Sequence, residues 1–123
     1  MTPPTPHVLR FDLYEGDFRR TDFDRSAPPI SHVKFPESGE VVITYILEMA
    51  GAEGDYVFEL RILAQGASRE SVLARESFTA ADRAKAYTTN QTVNIVRVTT
   101  GRHELRFYAN GSLIDRAMLT VTP

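Results

Sequence analysis

Apolar and polar residues alternate with a period of two along much of this chain, most cleanly near its C-terminus. Leu105, Phe107 and Ala109 alternate with Glu104, Arg106 and Tyr108, and Ala117, Leu119 and Val121 alternate with Arg116, Met118 and Thr120. Successive side chains of a strand point to opposite faces, so this period describes two half-buried strands. Between them lies Asn110-Gly111, a dipeptide that favours a type I′ turn because both central residues must take positive φ. The pattern predicts a C-terminal hairpin. Two strands alone are marginal in water, so the remaining chain must pack onto it.

Upstream the same period recurs with interruptions. His7–Tyr14 places Leu9, Phe11 and Leu13 on one face against Arg10 and Asp12, and Glu15-Gly16-Asp17 reads as a turn. Phe18–Arg25 fits no single period, so an edge strand and an ordered loop are both open there. Ser26-Ala-Pro-Pro29 breaks regular structure, since proline lacks a ladder donor. Val33 and Phe35 form a short strand that Pro36 ends, and Glu37–Glu40 is a turn. In Val41–Met49 one face carries Val41, Ile43, Tyr45, Leu47 and Met49 while Val42 and Ile46 occupy the other, as a central strand requires. Gly51–Gly54 leads into Asp55–Ala64, where Tyr56, Phe58, Leu60 and Ile62 alternate with polar residues, and these two strands are expected to pair as an antiparallel hairpin.

After a turn at Gln65–Arg69, Val72–Phe78 reads as a short strand. Thr79–Asp82 has the spacing of a capping box, so one helical turn is expected over Arg83–Ala86. Thr92–Thr100 is β-branched and strand-like, with an ambiguous buried face. Residues 1–6, rich in Pro and Thr, are expected to be flexible, leaving 7–123 as one domain. About 6–8 short strands, with turn signals about every ten residues, predict an all-β antiparallel β-sandwich, a small barrel being the competitor. Its core should gather Val41, Ile43, Tyr45, Leu47, Phe58, Leu60, Ile62, Leu105, Phe107, Leu119 and Val121.

Composition narrows the functional classes. The chain has 123 residues, 42% of them hydrophobic, with a net charge of −2, which suits one globular domain. It has no cysteine, so neither disulfide nor thiolate chemistry contributes. No run reaches the roughly 18 apolar residues of a membrane span, and the start, Met-Thr-Pro-Pro-Thr-Pro, lacks the charged and apolar regions of a secretory signal. A cytoplasmic protein with no membrane partner is the plain reading. Arginine outnumbers lysine twelve to two. Acidic residues are interspersed throughout, however, so the unbalanced positive field that nucleic acid requires is missing and no nucleic-acid partner is expected.

Candidate chemistry is sparse. His7, His32 and His103 are widely separated, and none has a second ligand-type residue at a metal-binding spacing. Ser38 and Ser112 sit in turns, and no Gly-x-Ser-x-Gly nucleophile elbow occurs. Asp22 and Asp24 could share a strand face as a carboxylate pair, but arginines flank them and a solvated charged loop explains them. The seven glycines are scattered through turns rather than clustered in a phosphate-binding loop. Tyr14, Phe18 and Phe23, near arginines, could stack on single-stranded bases, although core packing explains the phenylalanines more simply. No catalytic, cofactor-binding or metal-binding residue is assigned, and the chain is not expected to be an enzyme or to carry a cofactor.

Val33-Lys-Phe-Pro36, the central strand after it, Gly54–Ile62, Gly101–Phe107 and the closing Leu119-Thr-Val121 together resemble a group of small bacterial proteins of unknown function with immunoglobulin-like sandwiches. The resemblance covers roughly residues 30–122 and implies a fold, without an activity, cofactor or catalytic residues. Immunoglobulin domains proper carry a Cys–Trp–Cys core, and this chain has no Cys and no Trp, so the implication reaches only the wider architecture. In that topology the 55–64 strand shares a sheet with the C-terminal hairpin. Its outward residues Val57, Glu59, Arg61 and Leu63 then join Glu104, Arg106, Tyr108, Arg116 and Met118. Ile114 joins them if alternation is strict, which turns Asp115 inward, so a bulge near Asp115-Arg116 is expected.

This mixed face, rich in the Tyr, Met and Arg that interfaces favour, points to a non-enzymatic protein-interaction module with a homodimer or foreign protein partner. The alternative is a small-molecule or carbohydrate-binding sandwich with a pocket lined by Tyr and Arg. Arginine stems covering a simply solvated face would also account for the pattern. Because no ligand set for a structural metal is legible, the melting temperature should be unchanged by EDTA. A drop of several degrees that zinc restores would overturn that reading.

Overall fold

The computed structural model describes residues 2–16 and 29–123. Phe18–Arg25 and nearly all of the Ser26–Pro29 break lie outside the described residues. The chain forms β1 (His7–Glu15), β2 (His32–Lys34), β3 (Val41–Ala50), β4 (Gly54–Leu63), β5 (Ser71–Ala80), β6 (Tyr87–Ile95), β7 (Gly101–Ala109) and β8 (Ser112–Thr122). One sheet has the order β1-β3-β6 and the other β2-β8-β7-β4-β5. The protein is all-β, and its pairing is mixed rather than wholly antiparallel, because β2 runs parallel to β8.

The C-terminal hairpin forms as the alternation requires. Asn110 and Gly111 take φ of +49° and +82°, and Leu105, Phe107, Leu119 and Val121 are buried. Gly101, which starts β7, has φ of +125°, and a Cβ there would lie 2.6 Å from Gln65 Oε1. That oxygen accepts the Arg102 N–H at 2.7 Å, so glycine admits the contact that anchors the strand's start.

β3 is central, as its two apolar faces suggest, but it does not form a hairpin with β4. Both its edges are already paired, with β1 and β6, and β4 is flanked by β5 and β7. The chain therefore crosses between the sheets at Gly51–Gly54, where both glycines take positive φ and Ala52 is fully buried. Tyr56 secures this corner: its hydroxyl accepts the Glu53 N–H at 3.0 Å and donates to Pro4 O at 2.5 Å. Residues 2–6, expected to be loose, thus include a carbonyl tied to the fold, and Pro6 is buried.

Three further expectations are corrected. Leu9 is exposed rather than inward, because a bulge between Val8 and Arg10 leaves it out of the register and brings Val8 against the core. No helical turn follows Thr79. That residue is inside β5 with its hydroxyl on Asp55 Oδ1, and Asp82 makes a tight turn by accepting the Ala84 N–H at 2.9 Å. The strand expected over Thr92–Thr100 begins at Tyr87 and ends at Ile95, before Arg97 with φ of +53°. Its inward row includes Thr89 and Gln91, opposite Leu47 and Tyr45, and these polar residues disguise the period.

The core lies between the sheets. Tyr45 of β3 and Phe107 of β7 meet edge-on at 5.6 Å between ring centroids, with Phe11 at 5.8 Å and Phe58 at 5.3 Å from Phe107. At the side where β5 faces β6, Glu76 Oε1 accepts from the Thr89 hydroxyl and, at 3.5 Å, from Tyr45 Oη. Burial of Tyr45, with the Glu76 charge beside it, raises its phenol above the ordinary range. Phe78 and Tyr87 pack edge-on along the same side at 5.5 Å. Phe58, 1% exposed and in contact with three other rings, is the measure of this packing. Phe58→Ala should destabilise the fold by about 3–5 kcal/mol in urea unfolding. A loss below about 1 kcal/mol would contradict its place in the core.

Candidate functional site

The outward face of the five-stranded sheet is organised by cross-strand register. Arg116 of β8 lies opposite Arg106 of β7, and Arg106 opposite Arg61 of β4, so three arginines stand in one row that ends at Val72 of β5. Like charges directly opposite one another are destabilising. The flanking rows supply the compensation: Glu59 lies between Tyr108 and Arg75, and Glu104 between Leu63 and Met118.

Glu59 Oε1 accepts from Arg61 Nε and Nη2 at 2.9 and 2.6 Å, and its Oε2 accepts from Arg75 Nε at 2.7 Å. Glu104 Oε1 accepts from Arg106 Nε at 2.5 Å and lies 3.8 Å from Arg116 Nη1. Glu70, from the turn before β5, accepts from Arg61 Nη1 at 3.1 Å, Arg106 Nη1 at 2.8 Å and the Tyr108 hydroxyl. The Arg61 guanidinium also lies 3.9 Å from the centre of the Tyr108 ring, a cation–π contact.

These bonds shift the acidities. The Tyr108 hydroxyl and the Arg106 guanidinium lower the Glu70 carboxyl to about 2. Hydrogen bonds from Arg61 and Arg75 hold Glu59 below its usual range, and Glu70 and Glu104 raise Arg106. A carboxyl of such acidity stays ionised at neutral pH, so Glu70 is an anchor for donors and not a general acid. Beside it lies a shallow depression of about 440 Å³, lined among others by Arg61, Leu63, Glu70 and Arg106.

Of the residues expected on this face, Val57, Glu59, Arg61, Leu63, Arg106, Tyr108, Arg116 and Met118 all occupy outward positions. Ile114 does not. Phe107 pairs with Asp115 and Tyr108 with Leu113, so Ile114 is the extra residue of a bulge and packs against the core. The bulge falls just before the expected Asp115-Arg116, and Leu113 takes the outward place. Leu113, Val72, Glu70 and Arg75 escaped the sequence reading. Glu70 belongs to a turn and has no strand period, and Arg75 and Val72 depend on the pairing of β5. Exposure is 44% for Val57, 53% for Val72, and 39% for both Leu113 and Met118. Four of the seven large exposed apolar side chains among the described residues therefore surround one polar network.

The other candidates do not converge. His7, His32 and His103 begin or occupy three different strands, and among the described residues no group of three or more His, Cys, Asp or Glu could hold a metal. Asp22, Asp24, Phe18 and Phe23 lie outside the described residues, and Tyr14 is buried.

No family model and no curated protein matches the chain. Solved structures do. A β-glucosidase 3B from Thermotoga neapolitana, in complex with α-D-glucose, aligns with 97% of this chain at TM-score 0.59 and 11% identity, over 16% of its own length. The Pseudomonas fluorescens alkylpurine DNA glycosylase bound to DNA containing an abasic site analog aligns with 96% at TM-score 0.56 and 16% identity, over 30% of its length. The Listeria innocua β-glucosidase in complex with isofagomine aligns with 93% at TM-score 0.53 and 10% identity, again over 16% of its length. At such identities the likeness is one of fold alone. The chain spans less than a third of each of these proteins.

The network carries a pH signature. Glu70 ionises more readily in the folded chain, so its contribution is complete above its ordinary value of 4.5 and is lost as pH falls toward about 2. Glu70→Gln should lose about 1–2 kcal/mol at pH 7, allowing for solvent screening. In urea titrations its stability should fall less steeply than the wild type's across that acidic window. Parallel curves would remove Glu70 from this role.

Proposed function

We propose that the chain is an immunoglobulin-like sandwich serving as a non-enzymatic protein-interaction module, with the outward face of β8-β7-β4-β5 as its docking surface. The observation that carries this reading is the placement of Val57, Val72, Leu113 and Met118 around the Arg61–Glu70–Arg106–Tyr108 network. Exposed apolar side chains grouped on one face mark contact sites more often than scattered ones do. Tyr and Arg held in place by mutual bonds lose little further freedom on binding, which favours association.

The fold assignment draws support from the strand order. The third and fourth strands lie in different sheets, and β4 pairs with the first strand of the C-terminal hairpin, as in immunoglobulin-like sandwiches. The glucosidases and the DNA glycosylase align over a minor part of their chains. A β-domain that accompanies a larger body is consistent with a role in contact rather than in chemistry. The carbohydrate-binding alternative would use the depression beside Glu70. Its arginines Arg61 and Arg106 are already paired within the chain, which leaves fewer donors for a sugar.

A photo-cross-linking side chain at Val57 or Met118, in the native host, should capture a protein partner, whereas the same probe at Leu9, 51% exposed on β1, should not. Equal capture at Leu9, or none at either sheet position, would overturn the assignment of the face. If the partner is a second copy, light scattering at about 100 µM should show a dimer that Tyr108→Glu dissociates. A monomer at that concentration removes the homodimer version.

A further inference from the structure

The side of the molecule where β5 faces β6 is closed along part of its length by Glu76 with Thr89 and Tyr45, and by Phe78 against Tyr87. Toward the start of β5 and the end of β6 the sheets part around a second cleft of about 360 Å³. Its apolar walls include Ile62, Leu73, Ile95 and Val98, with Ser71, Asn94, Arg97 and Thr99 as further polar lining, and His103 of β7 lines it from within the core. This volume falls in the range of small-molecule sites, roughly 300–1,000 Å³, and a lining of apolar side chains with a few placed polar groups is their usual construction.

His103 is 1% exposed. Its Nε2 lies 2.7 Å from Thr99 O, and a carbonyl oxygen can only accept, so Nε2 carries the proton. In the neutral ring Nδ1 is then a lone-pair acceptor. That atom is fully buried and has no hydrogen-bond partner among the described residues. Buried polar atoms are nearly always paired, so an exception in a residue that lines a cleft invites an external donor, which must displace the adjoining wall slightly to reach it.

We propose that this cleft binds a small, mainly apolar molecule carrying one O–H or N–H donor, with the donor on His103 Nδ1 and the apolar body against Leu73, Ile95 and Val98. The cleft adjoins the charged face, sharing Val72 with the depression beside Glu70, but its ligand is read from His103 and not from that face.

The test is an NMR titration of the full chain with p-cresol and with toluene, which shares its ring and methyl but lacks the donor. p-Cresol should bind saturably, shift the His103 ring nitrogens and the methyls of Ile62, Leu73, Ile95 and Val98, and bind about tenfold tighter than toluene. Leu73→Trp, at a half-buried wall position, should fill the cleft and abolish binding while the remaining spectrum stays folded. His103→Phe should erase the preference for p-cresol over toluene. Equal affinity of the two probes for the wild type, an unmoved His103 Nδ1, or undiminished binding by a folded Leu73→Trp would each overturn the proposal. The absence of saturable shifts up to the solubility of p-cresol, with water as the only occupant, would do the same.

Discussion

Among the described residues the two sheets are separate hydrogen-bonded ladders, and with no cysteine in the chain their union rests mainly on side-chain packing. The contact at its centre is the cluster of Tyr45, Phe107, Phe58 and Phe11, in which Phe107 touches the other three rings. Edge-on and tilted arrangements of this kind place the positive rim of one ring against the negative face of another, adding to the area that burial removes from water. The pleat then transmits the constraint. Once Phe58, Leu60 and Ile62 face inward, Val57, Glu59 and Arg61 must face outward, and a slip of one residue would exchange the two sets.

That transmission explains why the charged face is ordered. Register alone would bring Arg116, Arg106 and Arg61 into a repulsive row. The row is tolerated because Glu59 and Glu104 occupy the adjacent rows and Glu70 reaches in from a turn to bridge two strands and Tyr108. Each such pair is worth little when solvated, but a network in which Glu59 and Glu70 each bridge two arginines is held more firmly than its members would be separately. The result is a polar centre held by mutual bonds with apolar side chains around it.

The opposite consequence appears where β5 and β6 approach. These are the edge strands of their respective sheets, so no ladder closes the gap between them, and side chains must. Glu76, Thr89, Phe78 and Tyr87 do so over part of the length. Beyond them, the chain leaves β6 at Ile95 and turns away at Arg97, and Val98 re-enters the core with its N–H on Gly39 O at 3.1 Å. The cleft and the unpaired nitrogen of His103 lie in the space this detour leaves.

What the chain determined by itself was local. Strict alternation in 56–62 and 105–109, the Asn110-Gly111 turn and the doubly apolar 41–49 segment specified strands, faces and the outward placement of Arg61, Arg106 and Tyr108, because a two-residue period depends only on neighbouring residues. Tertiary structure decided what depends on partners distant in sequence. The β3–β4 connection looked like a hairpin, yet both edges of each strand were taken by other strands, and the chain had to cross. Leu9 and Ile114 left their expected faces because bulges are set by the register against β3 and β7. Thr89 and Gln91 concealed β6, since polar residues on an inward row are tolerated only where a neighbour such as Glu76 can receive them. Glu70 and the cleft around His103 had no sequence signal at all: each is assembled from segments that meet only when the two ladders stack.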